Sequence, residues 1–448
     1  MKKIELSEHF TYGKILLFSL PTILEVLATS SFQMVDGYFV SNFLGLTQFS
    51  AVAIVSPAFF VLYGLGMMFG AGTSAIVSKL MGEGDKPQGE QVFSMSVAVM
   101  TLVGIVVGAL TTLLMPQLSR LVGADQGNLP YCVEYGRLLS AFLPFYLING
   151  AFMSLWITAE KPWLGMVVSF INGGLNVLLD WLFMGPFGMG IRGAGLATSL
   201  AALIAAAFTI VYFLRPNASS LRFVRFGAKR LHELIRICAN GISEMIDNVS
   251  RNIIELLMNV QLMRLIGQAG VAAMGVYSYV IEIFVCVFFG ISNTSVTVVG
   301  YKYGEKSRRE LDSIVRKCTV LTLGFGVLIC GFCFCMAGPI AKLYLGYDAA
   351  AAQLTVKVMR ISSLTCLVCG FSIFTSSCFT GLGDGLTSGI IALVESFAAP
   401  IAMIYLLPAV FGADGIWFAL PAAEVISAAL CAVFLKTRYP RRVAGLEQ

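Results

Sequence analysis

Twelve apolar stretches follow one another along this chain, each about 20 residues or longer and so able to cross a bilayer as a helix. They run over 14–40, 51–77, 92–115, 131–157, 163–185, 193–214, 237–263, 271–299, 314–338, 353–379, 386–410 and 414–436. Lipid offers no hydrogen bonds, so each stretch must satisfy its own backbone, which a helix does. The expected fold is an all-α polytopic membrane protein. Its composition agrees: 12% of residues are charged and 57% hydrophobic, with mean hydropathy +0.83, where a soluble domain carries about 25% charge. The first apolar run leads into a full-length span, so no cleavable signal peptide is expected.

Loop charges fix the orientation. On one side lie 22 Lys and Arg residues, among them Lys2, Lys3, Lys79, Lys161, Lys302 and Arg442; the other side holds Arg120, Arg192, Arg264 and Lys342. The basic side faces the cytoplasm, so both termini are expected there, in a cell membrane. The segment 215–236 holds Arg215, Arg222, Arg225, Lys229, Arg230 and Arg236, interleaved with Phe223, Phe226, Leu231 and Ile235. It reads as a cytoplasmic linker lying on the membrane surface.

Other function classes find little support. No basic–aromatic patch suggests nucleic acid. Cys330, Cys333, Cys335, Cys366 and Cys369 lie inside apolar runs, and His9 and His232 lie outside the spans. The cysteines therefore read as small buried hydrophobes rather than metal ligands. No P-loop pattern is present, so ATP is not the evident energy source for whatever the chain does. No catalytic set is evident, and an enzyme is not expected.

The chain partly matches itself at a shift of 222 residues. Gly45 falls on Gly267, Gly82-Glu83 on Gly304-Glu305, Gly193 on Gly415, and Ala197 on Ala419. Six spans per half return the chain to its starting side, so the halves share one orientation and are related by a pseudo-twofold along the membrane normal. The expected organisation is an N-terminal six-helix lobe (1–214), the linker (215–236) and a C-terminal six-helix lobe (237–448).

Several features along the chain, some of them in this repeat, support a comparison. They are Pro21 in span 1, Asp36-Gly37 with Gly45, the small-residue run Gly64 to Gly72, M-G-E-G-D at 81–85 with Y-G-E-K at 303–306, and G-A-G-L-A-T at 193–198 with G-I-W-F-A at 415–419. On these the chain resembles the multidrug and toxic compound extrusion (MATE) family over nearly its whole length, most closely a bacterial branch of DinF-like and MepA-like exporters. One departure is Ser243, which stands where the offset would place a partner for Pro21.

Carboxylates inside the spans are costly, about 2.5–3.5 kcal/mol each at the bilayer centre. Asn172, Asn176 and Asp180 recur every four residues and form a stripe on one face of span 5. The family resemblance implies a cation or proton site at Asp36, Asn176, Asp180 and Thr198. Two neighbouring carboxylates do not cheaply both ionise. Such a pair can share a proton, or admit Na⁺ with an amide carbonyl and a hydroxyl as further ligands. No other metal or cofactor is expected.

Glu25, three helical turns before Asp36, Asn172, Glu255, Glu282 and Glu395 are candidates for substrate contact or a second cation site. In span 7, Asp247, Arg251 and Glu255 stand at i,i+4 spacing. A self-neutralising ladder is the competing reading there. Gly66-x-x-x-Gly70 and Gly104-x-x-x-Gly108 read as close-packing sites, and Pro144, Pro400 and Pro421 as kinks. The resemblance implies a monomeric secondary antiporter that exports lipophilic, cationic drugs in exchange for H⁺ or Na⁺. The alternative is a lipid-linked saccharide or lipid flippase of the same superfamily, though nine acids against one central Arg251 in the spans fit anionic headgroups poorly.

Overall fold

The computed structural model describes residues 4–227, 231–345 and 348–446, apart from the side chain of Leu46. Lys2, Lys3, Lys229 and Arg230, counted above among loop charges, lie outside the described residues. Six helices build the first half: α1 (Tyr12–Gly45), α2 (Thr47–Gly82), α3 (Lys86–Leu121), α4 (Leu129–Ala141 with Leu143–Thr158), α5 (Pro162–Met184) and α6 (Ile191–Leu214). Six more build the second: α7 (Glu233–Leu265), α8 (Gln268–Gly304), α9 (Arg308–Leu345), α10 (Ala349–Gly381), α11 (Gly385–Phe411) and α12 (Ala413–Val443). Eleven of these are long and apolar enough to cross a membrane, taking both parts of α4 as one span. The exception, α7, has 33 residues but carries Glu244, Asp247, Arg251 and Glu255 along its middle.

The helices overrun the apolar stretches by several residues. Hydropathy marks the part in hydrocarbon, whereas capping decides where a helix starts. Thr11 accepts from the Lys14 amide, and Asp85 accepts from the Gln88 amide, which satisfies orphan donors before the apolar run begins. Each expected proline kink follows an irregular turn. α4 bends by 60° just before Pro144, Pro400 follows a π-helical turn over 394–398, and Pro421 follows a 3₁₀ turn over 413–418. Proline lacks an N–H, so it fits where a helix restarts.

Backbone conformation repeats at the 222-residue offset. Left-handed φ angles occur at Gly45 (75°) and Gly267 (87°), at Gly84 (82°) and Lys306 (57°), and at Gly190 (61°) and Gly412 (72°). The first pair makes the α1–α2 and α7–α8 joints, where glycine carries no Cβ penalty.

Both small-residue motifs clamp α4. A Cβ on Gly66 would lie 2.6 Å from the Leu147 carbonyl oxygen, and one on Gly70 2.5 Å from that of Ala151. On α3, a Cβ on Gly108 would lie 2.4 Å from the Ser140 carbonyl oxygen, and one on Gly104 2.8 Å from the Pro144 Cα.

The linker differs from its expected place. Leu221 is fully buried, Phe223 stacks on Phe93 at 5.0 Å, and the Val224 amide donates to Ser94 Oγ at 2.9 Å. An extended chain with an unpaired amide gains more from this groove than from the bilayer surface. Phe226, Leu231 and Ile235 remain exposed.

The lobes meet at the end that carries the two termini. There α2 and α8 cross so closely that a Cβ on Gly82 would lie 2.0 Å from the Tyr301 carbonyl oxygen. Deeper in, Ser74, Thr158 and Thr297 join through hydroxyl bonds, 2.8 Å for Ser74 to Thr297. The segment before α1 straps this end. Leu6 and Phe10 are fully buried, and the buried Lys302 donates to the Ser7 carbonyl at 2.9 Å. Among the described residues, hydrogen bonds between lobes run from the helix middles to this end; the outermost is Ser30 Oγ to Glu282 Oε1 at 3.2 Å.

Candidate ion-coupling site

Helices α1 and α5 run in parallel, and one notch sets their register. Gly173 of α5 leaves room for the Phe32 ring of α1: a Cβ there would lie 1.9 Å from Phe32 Cδ2. One turn beyond Phe32 stands Asp36, and two turns beyond Gly173 stands Asp180. The notch thus brings the two carboxyls to one level, within hydrogen-bonding reach of each other. Two turns back along α1, Glu25 meets Ser169 of α5, whose hydroxyl donates to Glu25 Oε1 at 2.6 Å.

Asp180 is fully buried, and Asn176 is 9% exposed. Asn176 Nδ2 donates to Asp180 Oδ2 at 3.0 Å and to Thr198 Oγ1 at 3.3 Å. Thr198 itself donates to the Ala194 carbonyl at 3.0 Å. The four residues implied by the family resemblance therefore lie together. One detail differs from expectation: the amide nitrogen of Asn176 faces Asp180 and Thr198, because both present acceptors to it. Asp36 Oδ1 and Asp180 Oδ1 are buried, and among the described residues neither has a donor. Unpaired acceptors in a dry site cost about 1–3 kcal/mol each, more when charged. Two facing carboxyls are completed by a proton or a cation.

Nothing in the sequence pointed to Tyr135 and Tyr146. Both are buried on α4 and stand near the carboxyl pair; Tyr146 also pairs with Ser199 at 3.4 Å. They flank the bend of α4, and nothing in the sequence says which face of either part meets Asp36.

The remaining candidates divide. Glu25 is 3% exposed and adjoins a small polar cavity that Asn172 also lines. Glu255 is exposed on α7. Glu282 is exposed and accepts the bond from Ser30 across the lobes. Glu395 is buried on the π-helical turn of α11, with Glu424 and Asp247 facing it. The α7 ladder, the competing reading, does not form among the described residues. Arg251 lies over the Phe289 ring at 4.1 Å, and Asp247 instead accepts a short bond from Ser396 of α11. Stacking on an aromatic face holds the guanidinium beyond ion-pair range of both acids. The cysteines Cys330, Cys333, Cys366 and Cys369 pack in the core of the second lobe, and Cys335 is exposed.

Comparison with known proteins decides the family. The MatE family model matches residues 21–182 and 245–406, one segment in each half. The chain belongs to the MatE family. It is 22% identical over 414 residues to a multidrug export protein MepA of Staphylococcus aureus, covering 92% of this chain and 90% of that one. It is 24% identical over 418 residues to MepA of Staphylococcus saprophyticus, with the same coverage. A solved structure of a multidrug resistance MATE family transporter in an outward-facing conformation matches with TM-score 0.89, at 20% identity and 99% coverage of both chains. A transporter of Pyrococcus furiosus, described as having a binding pocket of reverse polarity, matches with TM-score 0.87, also at 20% identity and 99% coverage. The two matched segments of this MatE protein have equal length, in keeping with the backbone repeat.

Proposed function

We propose that this MatE protein is a secondary antiporter that exports lipophilic cations in exchange for protons. Its termini lie in the cytoplasm of a cell whose plasma membrane it spans. The reading rests on the two donorless oxygens of Asp36 and Asp180. A proton between them completes both carboxyls. Na⁺ would call for the Asn176 carbonyl to turn inward, whereas the amide nitrogen already bonds Asp180 and Thr198.

The cycle follows from the closed terminus end. In this conformation the lobes are sealed toward the cytoplasm, and a proton from outside reaches Asp36 and Asp180. Protonation takes the pair from two negative charges to one, lowers the cost of holding it buried and lets α1 close against α5. Substrate held between the lobes leaves outward. The lobes then rock, the proton is released inward, and a new substrate enters. The membrane potential supplies about 2.3 kcal/mol per 100 mV for each net positive charge moved inward, so it drives the exchange when more protons enter than cationic charges leave. The relatives named for multidrug export support the cargo class, and the acids Glu255 and Glu282 suit a cationic cargo. The chain acts alone, as a monomer in the bilayer.

The test is dye efflux from inverted vesicles, driven in turn by H⁺ and Na⁺ gradients, for wild type and Asp36→Asn. Efflux driven by H⁺ alone and lost in the variant is expected. Na⁺-driven efflux would reassign the ion, and normal efflux by the variant would remove Asp36 from coupling.

A further inference from the structure

We infer that Glu25 is a second proton-exchanging site in the first lobe, separate from the Asp36–Asp180 pair and nearer the cytoplasm. The inference rests on the reading of that pair as the coupling site and extends it.

Glu25 is 3% exposed. Among the described residues one side chain donates to it, Ser169, at 2.6 Å, while a carboxylate offers about four acceptor positions. Among the described residues no counter-ion faces it. The titratable group facing it is Tyr63 of α2, whose hydroxyl is directed to Met153 Sδ at 3.6 Å. Helices α4, α5 and α6 present Asn149, Trp156, Ser169, Asn172 and Thr209, all uncharged. An isolated buried charge costs several kcal/mol, so this geometry suits a neutral carboxylic acid.

A purely structural pin would have no use for an adjoining space. Glu25, Asn149, Ser169, Asn172 and Thr209 line a cavity of about 20 Å³, room for one water molecule. The space is far too small for a drug and polar enough to hold water. A water there passes a proton to the free Glu25 oxygen and accepts one back, while Ser169 keeps the other oxygen bonded throughout. In uptake, hydronium gives up one proton, the carboxylate becomes a carboxylic acid, and water remains in the cavity. The second lobe repeats the motif. The 222-residue offset takes Glu25 to Asp247, which is likewise bonded to a serine of its lobe's fifth helix, Ser396.

The test is infrared difference spectroscopy of the purified full-length protein in lipid, between H₂O and D₂O, with efflux measured against pH. The wild type is expected to show an exchangeable carboxylic-acid band that Glu25→Gln removes and Asp36→Asn leaves. Its efflux is expected to fall from second to first order in proton concentration in Glu25→Gln. Should Glu25→Gln fail to reach the membrane, Ser169→Ala keeps the acid, and its band is expected to move to higher frequency. An unchanged band and unchanged order in Glu25→Gln, or an unmoved band in Ser169→Ala, overturns the inference. Normal efflux by Asp36→Asn, with the Glu25 band intact, would instead overturn the coupling reading alone.

Discussion

Phe32 of α1 sits in the notch that Gly173 leaves on α5, so closely that an added Cβ would lie 1.9 Å from the ring. This contact stands between two polar ones, Glu25 with Ser169 on one side and Asp36 with Asp180 on the other. Register along α1 and α5 is thus set by one apolar fit. Gly173→Ala should push the helices apart at a cost of about 1–3 kcal/mol. Asp36 would then leave the level of Asp180. Coupled efflux is expected to drop about ten-fold or more at normal membrane abundance. Adding Phe32→Ala should restore part of it. Efflux of Gly173→Ala equal to wild type would show that the register is set elsewhere.

The lobes close through a second glycine pair. A Cβ on Gly82 would lie 2.0 Å from the Tyr301 carbonyl oxygen, and one on Gly304 2.0 Å from that of Lys79. Backbone cannot step aside as a side chain can. Gly304→Leu should therefore disfavour this closed end by about 1–3 kcal/mol, a 5- to 150-fold change in population. Labels at Lys86 and Arg308, near the ends of α3 and α9, should report a longer distance in the variant. An unaltered distance distribution would contradict this role for the crossing.

Much of this arrangement was legible in the chain. Hydropathy gave the helices, since lipid leaves no other way to satisfy the backbone. The shared spacing of Gly45 with Gly267 and Gly82 with Gly304 revealed the repeat, because those positions need glycine for backbone reasons in both halves. Asp36, Asp180, Asn176 and Thr198 could be grouped by resemblance and by the i,i+4 stripe. What stayed hidden depends on which faces meet. The facing of Tyr135 and Tyr146, the stacking of Arg251 on Phe289 and the docking of Phe223 on Phe93 are choices among sterically similar partners. Helical periodicity fixes a face but not its neighbour.

Glu282 lies where the lobes part, exposed and held by Ser30 from the opposite lobe. A cationic substrate entering the divide would meet this carboxylate in partly hydrated surroundings. An exposed charge pair of this kind is worth up to about 1 kcal/mol. Glu282→Gln is expected to raise KM for a monovalent cation about five-fold and leave a neutral amphiphile unaffected. An equal change for both compounds would point to altered packing rather than charge recognition.

Asp384, in the turn before α11, gives the structure a pH-dependent tie outside the membrane spans. It accepts from the Thr387 amide at 3.4 Å as the helix cap and from Arg442 through both oxygens, at 3.1 Å each. Burial alone would raise its pKa, but the bonds from Arg442 and Thr387 outweigh that and hold it below the ordinary value of 3.8. A group lowered in this way stabilises the fold fully above its unfolded value, and the contribution fades as pH falls through the folded one. Hydrogen bonds to a charged group are worth about 1.5–3 kcal/mol; Arg442 is 43% exposed, which places this tie at the low end. Asp384→Asn should therefore lower thermal stability in detergent near neutral pH, and the deficit should shrink only below about pH 4. Arg442→Gln should cost a similar amount, and the double variant little more, since both remove one interaction. A deficit that persists unchanged through the acid range would mean that Asp384 acts through its shape as a cap and not through its charge.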